Sequence, residues 1–301
     1  MVKPRVLLLG ATGQVGKLIA EEMIKDTQVT LRVTSRHKEQ LPELQKRYGE
    51  AAFLDLADPR TFDEALKGVQ RVFLLTGYSY TMLTQSKTFV DAAKKAGVEH
   101  IVHLGVFSLD WDCSDSHFAW HQLVEAYIKQ SQLKWTFLHP NCFMQNLTGF
   151  YSFLKNDKLV WYIKDKPCGW IALEDVAEAT AKILNEGPTK HHGKDYWFST
   201  ESLTADQMAQ ILTSVTGEKF SAEIRPMEQF IKDLTPHSGQ IDPYFLGVAD
   251  FFYQLRDGRM DYVGCVKDDL PQLIGRKGMT LKEWARLHKD ELLQKRMAVS
   301  Y

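Results

Sequence analysis

The sequence predicts an α/β protein built on a doubly wound parallel sheet, and three observations carry that prediction. First, Arg5–Leu9 reads RVLLL, the turn Gly10-Ala-Thr-Gly13-Gln-Val-Gly16 follows at once, and the stretch from Val15 to Lys25 places apolar residues at 15, 18, 19 and 23. That is strand, glycine turn, helix, the context a dinucleotide-binding glycine motif needs. Second, from residue 5 to about 140, short β-branched or leucine-rich runs alternate with helical patterns. Such alternation implies parallel strands joined by right-handed crossovers. Third, the pattern loosens after about residue 150 and aromatic residues become frequent. The expectation is a Rossmann-type sheet over residues 1–153. A smaller, mostly helical α/β region over 154–301 then shapes the substrate side, with a segment near 170–185 packing back on the sheet.

The elements follow in order. Val29–Thr34 (VTLRVT) is the second strand and Ala51–Leu54 begins the third. Arg71–Thr76 (RVFLLT) is a fourth strand, apolar enough to be buried on both faces. Met82–Ala96 is helical, with Phe89, Val90, Ala93 and Ala96 on one face and Gly97 as its stop. His100–Leu104 is a fifth strand, His117–Gln130 a helix and Lys134–Leu138 a sixth strand. Trp170–Asp175 then feeds a helix over Val176–Leu184, and Tyr196–Ser199 with Thr204–Val215 repeats that arrangement. Helical patterns at Pro243–Leu255 and Thr280–Leu293 close the chain.

Composition narrows the classes. A hydrophobic content of 44% with 25% charged residues describes a folded globular chain rather than a disordered one. A net charge of −1 gives no electrostatic case for nucleic acid or an anionic membrane. The apolar run VLLL is too short for a signal-peptide core, and no stretch is long enough to span a bilayer. Cys113, Cys142, Cys168 and Cys265 form no CxxC and no metal-type spacing. The expectation is a cytoplasmic protein with free thiols.

The glycine turn assigns Gly10, Thr12, Gly13, Gln14, Val15 and Gly16 to a pyrophosphate, which the helix N-terminus favours through free N–H groups and its dipole. The end of the second strand chooses the cofactor. Thr34-Ser35-Arg36-His37-Lys38 holds no carboxylate to grip a ribose 2′-hydroxyl. Arg36 instead offers a fork of N–H donors to a 2′-phosphate, with Ser35 and Lys38 beside it, so NADP(H) is expected. Asp55 and Leu56 close the third strand where adenine would lie, and Asp58 reads as a helix N-cap. Thr76, Gly77 and Tyr78 end the fourth strand beneath the nicotinamide ribose, with Tyr78 either a lid over the cofactor or a surface aromatic.

These residues resemble the NmrA-like branch of atypical short-chain dehydrogenases. The resemblance is carried by GATGQVG, by Ser35-Arg36, and by HFAWHQLVEAYIKQSQLKWTFLHPNCFMQNL over residues 117–147. It continues through WIALEDVAEA (170–179), LTADQMAQILTSVTGEKF (203–220) and LIGRKGMTLKEWARLHKDEL (273–292). It implies the Rossmann-type fold and NADP(H), with Pro140, Asn141 and Phe143 joining His121 among the cofactor contacts. It leaves the reaction open, since the branch holds quinone, dye and azo reductases, isoflavone-type reductases and NADP(H)-sensing regulators.

Ordinary short-chain dehydrogenases carry a Tyr-x-x-x-Lys pair on the helix after the fifth strand, and relatives in this branch often keep the lysine as HxxxK. The matching positions here are His117 and His121. In one reading His121 takes the lysine position on the ribose and His117 donates a proton. In a second, both only line the cofactor cleft. In a third they hold a metal, but Glu125 lies ~12 Å along the helix axis from His117, too far to complete the site. No metal is expected. Cys113 and Cys142 flank this region as a redox-sensing thiol or as small buried hydrophobes, and His103 reads as a core histidine. Phe107, Trp111, Phe143, Tyr151, Trp161 and Trp170 form either a substrate slot or core. The expected activity is hydride transfer from NADPH to an electron-poor acceptor, aromatic or quinone-like. The rival is a non-enzymatic redox sensor of the same family, and a homo-oligomer or protein partner stays open.

Overall fold

The computed structural model describes residues 3–26, 28–109, 114–149, 152–234 and 243–297. Trp111, Cys113 and Tyr151, singled out above, lie outside the described residues. The chain divides into two compact units. The first comprises Met1–Val106, Phe118–His139 and Val176–Tyr196; the second comprises Phe107–His117, Pro140–Asp175 and Trp197–Tyr301.

The seven-stranded sheet lies largely in the first unit. Its strands are β1 (Arg5–Leu8), β2 (Thr30–Ser35), β3 (Glu50–Phe53), β4 (Arg71–Leu74), β5 (His100–Leu104), β6 (Lys134–Pro140) and Lys194–Phe198. The order is β3-β2-β1-β4-β5-β6, with Lys194–Phe198 added beyond β6. From β3 to β6 every neighbouring pair is parallel. The leucine- and valine-rich runs form strands because both faces are covered, so Val6, Leu7 and Leu8 are fully buried. Helices α1 (Gln14–Met23), α2 (Leu41–Tyr48), α3 (Phe62–Leu66), α4 (Met82–Lys95) and α5 (Ser116–Gln130) alternate with the strands. On α4, Phe89, Val90 and Ala93 are buried as expected. Phe89 meets Phe62 edge-on at 5.3 Å. Ala96 is instead an exposed C-cap, because the helix ends one residue earlier than its apolar spacing suggests.

The turn after β1 sets the packing of the first unit. Gly10 has a φ of +76°, which an L side chain rarely adopts. A Cβ on Gly16 would collide with the Gly10 carbonyl, so only glycine lets α1 pack this close to the turn. Gly13 is different: its backbone is extended, and a Cβ there would meet nothing nearer than the Gly10 oxygen at 3.4 Å.

In the second unit, Cys168–Ile171 pairs in parallel with Cys142–Phe143 and antiparallel with Glu201–Leu203. A second small sheet sets Lys158–Trp161 between Leu154–Lys155 and Ser221–Ile224. Thr204 and Thr280 each cap a helix through a reciprocal box, with Gln207 and Glu283 respectively. The pattern that reads as one helix over Thr280–Leu293 is two, Leu281–Leu287 and Lys289–Met297. They part at His288, whose ring stacks on Trp284 at 4.5 Å and bonds Glu174 at 3.0 Å. Among the described residues, no helix is long and apolar enough to cross a membrane.

Gly16→Ala should therefore destabilise the protein by about 1–3 kcal/mol through overpacking against backbone, while Gly13→Ala should be close to neutral. Thermal unfolding of the two variants checks this. Equal melting temperatures would refute the close-approach argument.

Candidate functional site

The carboxyl ends of β1 to β4 deliver their following residues to one groove of about 570 Å³ in the first unit. Of the residues singled out in the sequence, Gly10, Thr12, Ser35, Arg36, Asp55, Leu56, Thr76, Gly77 and Tyr78 line it. Gly13, Gln14, Val15 and Gly16 form the cap and first turn of α1. Thr12, Gly13 and Gln14 are exposed, the cap makes no side-chain hydrogen bond, and the first turn holds no acidic residue. The first N–H groups of the helix and its positive dipole end are thus left for an anion.

Arg36 is exposed on the groove wall, and among the described residues no carboxylate pairs with it. Ser35 positions it indirectly: the buried hydroxyl accepts from the His37 N–H at 3.0 Å and donates to Gln40 at 2.7 Å, fixing the turn. Lys38 sits with its ammonium 4.8 Å from the centre of the Phe53 ring. Asp55 accepts from the Ala57 N–H at 2.9 Å. Asp58 caps its short helix by accepting from the Arg60 N–H at 3.1 Å. Thr76 lines the groove, and its hydroxyl is buried with no hydrogen-bond partner among the described residues. A buried hydroxyl without a partner costs free energy. An extended anionic ligand suits this set.

His121 is buried on α5 and faces the same wall. Its Nε2 lies 2.9 Å from the Tyr78 hydroxyl, and its Nδ1 lies 3.0 Å from Nε2 of His103 in β5. His103 is fully buried, and burial pushes it down to about 3, so it stays neutral. Its link to Tyr78 was missed in the sequence, where its only signal was a histidine inside an apolar strand.

Other named residues go elsewhere. His117 is one helical turn before His121, yet it stacks on Tyr244 at 5.2 Å in the second unit and packs against Gly247. Pro140 ends β6. Asn141 is spent within the second unit, donating to the Val263 carbonyl at 2.8 Å and to Ser199 at 3.3 Å. Phe143 is half-buried in a two-residue strand. Phe107, Trp161 and Trp170 are core, with Trp161 and Trp170 5.7 Å apart. Cys142 and Cys168 bring their sulfurs to 3.3 Å as thiols, which raises the buried Cys168 thiol well above its ordinary value.

A second titratable cluster, also unseen in the sequence, joins Glu125, His139 and Asp195 within 4.8 Å. His139 Nδ1 donates to the Val106 carbonyl at 3.0 Å and Nε2 donates to Asp195 at 3.0 Å. Both ring nitrogens therefore carry hydrogen, and neither offers a lone pair to a metal. Burial opposes that charge, but the Asp195 hydrogen bond and the Glu125 carboxyl raise His139 overall. Glu125 has one buried oxygen without a hydrogen bond among the described residues, and burial pushes it up to about 7. The three groups come from α5, the end of β6 and the start of Lys194–Phe198.

Comparison with known proteins places this geometry. The NmrA-like family model matches residues 2–258. The NAD(P)H azoreductase of Xenophilus azovorans is 26% identical over 287 residues, covering 94% of this chain and 97% of its own. The Citrobacter sp. triphenylmethane reductase, solved with NADP(H), superposes with a TM-score of 0.79 at 24% identity, covering 97% of this chain and 100% of that one. An NADPH-dependent quinone oxidoreductase from Escherichia coli, complexed with NADPH, superposes at 0.81 with 22% identity, covering 95% and 99%. At these identities the two structures attest the fold.

The buried cluster makes stability pH-dependent. Glu125 binds its proton more tightly folded, at about 7, than at the ordinary 4.5. Stability therefore falls as pH rises through that window. His139 is also raised, so its contribution is present below its ordinary value near 6.5 and lost as pH climbs through the folded one. Glu125→Gln, which keeps the shape without the charge, should be more stable than wild type at pH 8 and no more stable at pH 4.5. Urea midpoints across that range test it; a gap that does not grow with pH would refute the assignment.

Proposed function

The chain belongs to the NmrA-like family, and from that premise we propose that it is an NADP(H)-dependent reductase passing hydride to an electron-poor acceptor such as a quinone or conjugated dye. The observation that carries this reading is the groove at the ends of β1 to β4. It joins an uncapped helix start, an arginine unpaired among the described residues and a bare threonine hydroxyl. In this reading the first N–H groups of α1 hold the pyrophosphate. Arg36 grips the 2′-phosphate, Asp55 and Leu56 flank the adenine, and the Thr76 hydroxyl bonds the ribose on the nicotinamide side. The azoreductase and the dye and quinone reductases are named for acceptors of this kind, which supports the class without choosing among them.

NADPH, when bound, supplies the hydride. The protein's own task is to fix the donor and acceptor in an attacking geometry and to keep water away, which contributes much of the rate in such transfers. An electron-poor acceptor needs little more, so the missing Tyr-x-x-x-Lys pair is no obstacle. The same missing pair supports a second reading, an NADP(H) sensor without turnover.

NADPH oxidation against a panel of quinones and dyes separates the two; no turnover on any acceptor would defeat the reductase reading. Cofactor choice is tested at Arg36. A charge-assisted bond contributes about 1.5–3 kcal/mol, or roughly 10–100-fold in affinity. Arg36→Ala should weaken NADPH by that factor and leave NADH nearly unchanged in fluorescence titrations. Equal losses would refute the assignment. Gly13→Val should fold, since its backbone is extended, yet abolish NADPH binding by filling the phosphate approach.

A further inference from the structure

We infer that a trough on the second unit, lined by the helices Asp269–Ile274 and Leu281–Leu287 and the loop between them, docks an acidic amphipathic helix of a partner protein. The inference goes beyond the reductase reading and does not rest on it. The cofactor groove belongs to the first unit and shares no residue with the trough.

The argument starts at Asp175, which is fully buried. Its carboxylate accepts from the Arg276 guanidinium at 2.7 Å and from the Met279 N–H at 2.6 Å. Thr280 then caps the next helix in its reciprocal box with Glu283. Gly278 lets the loop close on its floor, since a Cβ there would collide with the Thr200 hydroxyl and crowd Leu270. The loop is held at each of these points, so the trough, of about 890 Å³, is formed before any ligand arrives. A preformed surface spares a partner the cost of ordering it.

The lining is apolar at its floor and cationic at its rim. Leu270 is buried, and Pro271 and Met279 are half-buried. Val266 and Leu287 are exposed, at 48% and 70%. Two large apolar side chains in water beside an apolar trough make a patch rather than isolated exceptions. Of the four cations in the lining, Arg276 is engaged by Asp175. Lys267, Lys277 and Arg286 make no ion pair among the described residues. Of the two carboxylates, Glu283 is committed to the Thr280 N–H and hydroxyl, which leaves Asp268. The cationic surplus is local, because the whole chain carries −1. It favours an acidic partner and speeds its approach. No strand among the described residues lines the trough, so an extended segment would find no ladder of N–H and C=O groups to join. A helix satisfies its own backbone and needs only an apolar stripe with carboxylates beside it.

The test uses the full chain and two fluorescein-labelled, helix-stapled peptides that share one leucine face. One carries glutamate on its other face and its twin carries lysine. In anisotropy titrations at low salt the acidic peptide should bind roughly tenfold tighter than its twin or better. That advantage should shrink as salt shortens the range of the charges. The double variant Lys277→Glu, Arg286→Glu should reverse the preference. Leu287→Ala should weaken the acidic peptide by up to roughly tenfold through lost apolar burial. NADPH affinity should be unchanged in these variants, which shows them folded. An acidic peptide that binds no tighter than its twin, or a preference that survives the charge reversal, would overturn the inference. Saturable binding of laurate with both peptides silent would overturn it in favour of a small anionic ligand. A dimer in sedimentation that Leu287→Asp abolishes would overturn it in favour of a second copy of this chain.

Discussion

The close approach of Gly16 to the Gly10 carbonyl is the constraint on which the groove depends. It fixes where α1 begins relative to β1, and hence where the first N–H groups of the helix point. Because β1 lies between β2 and β4 in the sheet, its turn is flanked by the two strand ends that deliver Arg36 and Thr76. In doubly wound sheets a crevice opens where the strand order reverses, and here that reversal falls between β1 and β4. The groove is thus a consequence of topology, with its chemistry supplied by whatever residues follow each strand.

A second constraint acts on α5. A helix lying on a sheet normally turns apolar residues inward. This one buries His121, Gln122 and Glu125 along with Val124 and Ile128. Each polar group then needs a partner from the sheet, and His103 and His139 supply two of them. One pairing faces the groove through Tyr78. The other sets the Glu125 carboxyl 3.7 Å from the His139 ring and ties stability to pH.

The contrast explains what was legible in the sequence. The glycine turn, the strands up to Lys134 and the Arg36 turn are encoded locally, by periodicity and by φ-permissive residues, so they can be read within a few positions. Strand ends shifted by a residue or two, as with Thr30–Ser35, because hydrogen bonding rather than side-chain pattern sets them. The break at His288 is tertiary: it depends on Glu174, far away in sequence. Tyr78, His103 and His121 come from three separate elements, and no spacing rule joins them. Each could be named alone, as a lid, a core residue and a lysine substitute, but their relation exists only in the fold.

That relation also explains how a histidine can stand where relatives in this branch often hold a lysine. An ammonium has three donors and no acceptor, and buries badly without an opposite charge. An imidazole brings one donor and one acceptor, so at a buried position its second nitrogen must be satisfied too. His103 does this from a strand interior that excludes water, and stays neutral in doing so. The pair therefore avoids a buried charge that α5 would otherwise have to offset.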